Sequence, residues 1–86
     1  MDEAEAKEII SNVMKDRGIE FEPESLRIRY FQDDWGRLDA YGEFLNREGY
    51  FEFAISVEDR KKVKRFHVNL IMPRSVFEET KKLKRE

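Results

Sequence analysis

Eighty-six residues, 42% charged and 40% hydrophobic with seven Phe and a net charge of −2, make a single domain (1–86) with an aromatic-rich core and a charged shell. The absence of Cys excludes a disulfide framework, thiol chemistry and the usual cysteine zinc sites, and few Asn and Gln beside the high charge give a thermophile-like composition. No apolar run approaches the roughly 18 residues of a membrane span, and Met1-Asp2-Glu3-Ala4-Glu5 is acidic where a secretory leader is basic, so the chain is expected in the cytoplasm.

Asp2 to Arg17 reads as an amphipathic helix: Ala6, Ile9, Ile10, Val13 and Met14 form one apolar stripe, the first turn is acidic, and Gly18-Ile19 has the form of a left-handed helix end. Ile19-Glu20-Phe21-Glu22 alternates up to Pro23, as a short edge strand or a packed linker. Leu26 to Phe31 is the first clear strand, with Leu26, Ile28 and Tyr30 inward and Arg27 and Arg29 outward. Asp33-Asp34-Trp35-Gly36 is a turn. Pairing Tyr30 with Leu38 and Ile28 with Ala40 across it sets Arg29 beside Asp39. Trp35 at the loop tip is either a binding anchor or a cover for the core edge.

Leu38 to Val57 is a β-hairpin, the stretch around which the rest packs. Leu38, Ala40, Gly42 and Phe44 alternate with Asp39, Tyr41 and Glu43. After the turn Asn46-Arg47-Glu48-Gly49, the residues Phe51, Phe53, Ile55 and Val57 alternate with Glu52, Ala54 and Ser56. Pairing Leu45 with Tyr50 sets Phe44 opposite Phe51, Gly42 opposite Phe53 and Leu38 opposite Val57; a slip of one residue would turn the apolar set outward. The same register places Glu43 directly across from Glu52, which destabilises the pair unless a positive group or a proton intervenes.

Lys64 to Met72 is the last strand, with Phe66, Val68, Leu70 and Met72 inward and Arg65, His67 and Asn69 outward. Ser75 to Glu78 has capping-box spacing and opens a helix bearing Val76, Phe77, Thr80 and Leu83 on one side. The expected fold is α+β: a two-layer, four-stranded antiparallel β-meander with an N-terminal and a C-terminal helix packed on one face, in the order α-β-β-β-β-α. That order is superficially similar to a double-stranded-RNA-binding domain. The glycine-rich loop and basic helix start of that family are missing, however: the last helix opens Pro73-Arg74-Ser75-Val76. The chain is not assigned to it.

Two surfaces carry candidate chemistry. The first is a basic end. Residues 1–59 hold 7 Lys/Arg against 16 Asp/Glu, whereas residues 60–86 hold 10 against 3. A final helix running back over the sheet would bring Lys81, Lys82, Lys84 and Arg85 towards Arg60, Lys61, Lys62, Lys64 and Arg65, a footprint suited to the phosphates of RNA or DNA. The second is the open sheet face, where Arg27, Arg29, Asp39, Tyr41, Glu43, Glu52, His67 and Asn69 project. Glu43 and Glu52, joined by His67, are weak candidates for a divalent-cation or acid–base site, but two carboxylates fall short of a calcium cage. A cross-strand ion network relieved by Arg27 is the structural alternative. With one His, no nucleophile–base set and no phosphate-cradling loop, neither a catalytic residue nor a cofactor is expected. The sequence therefore predicts a small interaction module that binds a protein partner, or a second copy as a homodimer, through the polar sheet face. Nucleic-acid binding at the basic end is the alternative.

Overall fold

The stripe from Ala6 to Met14 winds into helix α1 (Glu3–Asp16) in the computed structural model, which describes residues 1–83. Asp2 caps its start, with Oδ1 accepting the Glu5 N–H at 2.8 Å. Gly18 ends it at φ 73°, a left-handed conformation in which its own N–H reaches the Lys15 carbonyl and the Ile19 N–H reaches that of Met14. Ala6, Ile9, Ile10, Val13 and Met14 are all buried. Burial of each larger member stabilises the fold by about 1.5–3 kcal/mol.

That stripe lies on the apolar face of a four-stranded antiparallel meander: β1 (Arg27–Asp34), β2 (Arg37–Asn46), β3 (Gly49–Glu58) and β4 (Lys62–Pro73), in spatial order β1-β2-β3-β4. The central hairpin has the register its alternation demands, with Phe44 opposite Phe51, Gly42 opposite Phe53, Leu38 opposite Val57 and Glu43 opposite Glu52. Phe44 is the middle of the aromatic core. Its ring stacks on Phe51 at 5.1 Å and meets Phe21 edge-on at 6.3 Å. Ile19 to Glu22 is a packed linker rather than a strand, tied to β2 by the Glu22 N–H on the Leu45 carbonyl. Asn46 is buried at the hairpin turn, where Oδ1 accepts from Glu48 and Gly49 and Nδ2 donates to Glu20.

β1 does not keep the expected register. A bulge at Arg29 sets Tyr30 opposite Tyr41 and Phe31 opposite Ala40, so Tyr30 turns outward and Phe31 takes the inward position. Two aromatic residues in succession cannot both face the core of a pleated strand, and the one without a hydroxyl packs, partly buried, against it. Asp39 consequently faces Gln32 instead of Arg29.

β4 departs in the same way at its far end. A bulge at Ile71 places Leu70 opposite Phe51 but Met72 opposite Tyr50, so Met72 lies on the open face rather than inward. α2 (Arg74–Leu83) follows with no intervening loop. It packs where the strand delivers it, with Phe77 stacked on Tyr50 at 5.9 Å and Thr80 beside the Met72 sulfur. The two helices thus do not share a face: α1 covers the Phe-rich side and α2 covers one end of the other. The α+β order α-β-β-β-β-α is as expected. Arg74 pins the junction, reaching Glu22 and the Asn46 carbonyl with Nη1 and Glu78 with Nε. The helix begins at Arg74, so Ser75 lies inside the first turn rather than at its cap.

Candidate functional site

Of the face that α1 leaves uncovered, α2 takes one end and the remainder is a polar floor lined by β1 to β4. The Glu43–Glu52 repulsion is resolved by giving each carboxylate its own donors. Glu43 accepts from Arg29 at 2.7 Å and from the Tyr50 hydroxyl at 2.6 Å. Glu52 accepts from Asn69 at 3.4 Å and Tyr41 at 3.5 Å. The bulge in β1 is what aims Arg29 at Glu43; Arg27, directly opposite Glu43 in register, forms no ion pair or side-chain hydrogen bond among the described residues. Partial burial pushes the Glu43 carboxyl up, but the bonds from Arg29 and Tyr50 outweigh it and hold the group below the usual carboxylate range. The Glu43 acceptor, aided by burial, pushes the Tyr50 phenol up.

A carboxyl depressed in the folded state stabilises above its unfolded pKa of about 4.3 and loses that contribution as pH falls through its lower folded value. Glu43→Gln should therefore cost about 1 kcal/mol at pH 7. Urea midpoints of the two proteins should converge once the pH falls below that folded value. A variant more stable than the parent at pH 7 would mean that repulsion from Glu52 dominates instead.

At the α2 end the face deepens into a groove of about 440 Å³. Ser25 and Arg27 form one side, Leu45, Tyr50 and Met72 the floor, and Phe77 and Thr80 the other side, with Glu43 at the rim. Tyr50, Met72 and Phe77 were not among the residues singled out from sequence. Tyr50 was legible as the partner of Leu45. Met72 was hidden by the bulge, for which the only sign is the unbroken apolar run Leu70-Ile71-Met72.

Beyond the groove, Tyr30 and Tyr41 stand opposite each other in register, 57% and 47% exposed. Asp39 accepts from Ser56 and pairs with Arg37. His67 is exposed opposite Ala54, one row along from the Glu52–Asn69 pair. Among the described residues no three His, Asp or Glu side chains gather as a metal-holding group. At the end of the sheet away from α2, Trp35 is 99% exposed at φ 52°, the first of two left-handed residues in the β1–β2 turn. Such a conformation costs a non-glycine residue roughly 1–2 kcal/mol. The Asp59 N–H donates to the Gly36 carbonyl at 3.0 Å, so this tip and the β3–β4 turn lie side by side.

Arg60 and Lys61 sit on that second turn, with Lys62, Lys64 and Arg65 following on β4, all exposed. Arg60 is paired with Glu5 of α1 at 2.7 Å. Lys81 and Lys82 are exposed on α2, which spans only about 15 Å and is anchored at Tyr50 and Met72. The basic turn is roughly 26 Å from that anchor along β3. Lys84 and Arg85 lie outside the described residues. No helix among the described residues is long and apolar enough to cross a membrane. No family model, curated protein or solved structure matches the chain.

Proposed function

We propose that the protein is a small interaction module that docks another protein chain, in the first place a second copy of itself, on its open sheet face. The observation that carries this reading is the Tyr30–Tyr41 pair. Two aromatic side chains stand together on a face that neither helix covers at that point, ringed by Arg29, Arg65, Asp39 and Glu52. Tyr and Arg are enriched in protein interfaces, and tyrosine gives contact area at little conformational cost. The mixture of both charges around the pair offers a second copy opposite charges to meet across a two-fold axis.

Sedimentation equilibrium of the full chain tests this. A dimer at micromolar concentration, weakened at least about tenfold by Tyr41→Glu, is the expected result. A strict monomer at millimolar concentration removes self-association. A second reading has its own support: Lys61, Lys62, Lys64 and Arg65 are exposed beside the Trp35 tip, joining basic and aromatic groups as nucleic-acid surfaces do. An amide-resolved titration with a short RNA, repeated at higher salt, would place salt-sensitive shifts on residues 60–65 and Trp35 if this surface binds phosphates.

A further inference from the structure

The groove between α2 and the sheet has a chemistry of its own, separate from the tyrosine surface. Its volume of about 440 Å³ lies within the range of small-molecule sites. The walls are mainly apolar: Leu45 and Met72 form the floor, and Phe77 closes one side while stacked on Tyr50. Five polar side chains line it, and four are already hydrogen-bonded within the fold. Ser25 Oγ donates to the Glu22 carbonyl and accepts the Leu45 N–H. The Tyr50 hydroxyl donates to Glu43, which also accepts from Arg29, and the Thr80 hydroxyl lies on the Val76 carbonyl and the Met72 sulfur. The fifth is Arg27.

Arg27 is set apart by the β1 bulge. The residue lies directly opposite Glu43 and would be its natural partner, but the extra residue in the strand hands Glu43 to Arg29. A guanidinium therefore stands at the mouth of an apolar groove, acting on Glu43 through its charge but forming no ion pair or side-chain hydrogen bond among the described residues. We propose that this groove binds a small amphipathic monocarboxylate, its carboxylate held by Arg27 and its apolar body lying on Leu45, Met72 and Phe77. The planar fork of arginine matches a carboxylate through two parallel hydrogen bonds. A phosphate dianion is disfavoured, because Glu43 stands at the same rim and Arg27 alone does not balance two charges. An alkylammonium is disfavoured by Arg27 itself.

The test is a titration of the full chain, labelled with carbon-13 at the methionine methyls, with octanoate, octanol and octylamine in parallel. Octanoate should move the Met72 methyl saturably while the resonances of Met1 and Met14 stay in place. Arg27→Gln, at an exposed position, should weaken octanoate at least about tenfold and leave the thermal midpoint unchanged. Equal binding of octanol, or octanoate binding unaltered in Arg27→Gln, would overturn the role of the cation. No movement of Met72 up to millimolar octanoate, with the fold intact, would overturn the site. Neither result depends on the oligomeric state, so this proposal and the tyrosine interface stand or fall separately.

Discussion

Phe44→Ala should lower the unfolding free energy by about 4 kcal/mol, the largest effect expected of any single truncation in the chain. Phe44 is 1% exposed and touches three other aromatic rings, Phe21, Phe51 and Phe53. These come from the linker and from β3, which is held at both ends by its neighbours and cannot collapse into the space left behind. A domain of this size is stabilised by roughly 4–13 kcal/mol in total, so the loss would take much of the margin. Urea unfolding followed by circular dichroism would measure it. A cost below about 1.5 kcal/mol would mean that the aromatic cluster relaxes far more freely than its packing implies.

Gly42→Ala should destabilise by about 2–3 kcal/mol, against the ordinary trend. In the middle of a strand, alanine normally improves on glycine by roughly 0.5–1 kcal/mol through chain entropy. Here a Cβ would stand 2.2 Å from the Arg27 carbonyl oxygen and 2.8 Å from the Phe53 ring. The ring could turn aside; the carbonyl belongs to the backbone of β1 and could not. The strain should therefore fall on the β1–β2 pairing, with faster amide exchange along β1 while β3 and β4 remain protected. A raised or unchanged urea midpoint would show that the two strands are not in such close approach.

How far these features could be read in advance depends on how each is encoded. The β2–β3 register was legible because every apolar residue on both strands agrees with one pairing, and a slip would expose Phe44 and Phe53 together. The α1 stripe and its Gly18 end were legible for the same reason: several independent signals coincide. Bulges have no such redundancy. Tyr30-Phe31 and Leu70-Ile71-Met72 break strict alternation, but nothing local says which residue will be the extra one. That choice is made by the packing of Phe31 against the core and of α2 against Tyr50. The error then propagates. Misplacing Met72 by one position moved α2 to the wrong face and concealed the groove, and misplacing Tyr30 concealed its pairing with Tyr41. The open-face residues on the continuous central strands, Glu43 and Glu52, were placed correctly; Arg27 does act on Glu43 through its charge, but the hydrogen-bonded ion pair is made by Arg29.

The three bulges share a location: Arg29 on β1, and Lys64 and Ile71 on β4, all on the two outer strands, while β2 and β3 pair without interruption. An outer strand carries a row of unpaired N–H and carbonyl groups that can template an incoming strand and begin a fibril. A bulge throws those groups out of step, so a foreign strand meets a matching row for only a few residues before its hydrogen bonds miss. β4, at twelve residues the longest strand, has two such interruptions and a run of Lys and Arg at one end. The molecule can therefore keep a broad sheet face uncovered while its borders resist strand-by-strand polymerisation, and the association proposed above would run face to face and close at a pair rather than grow along the sheet edges.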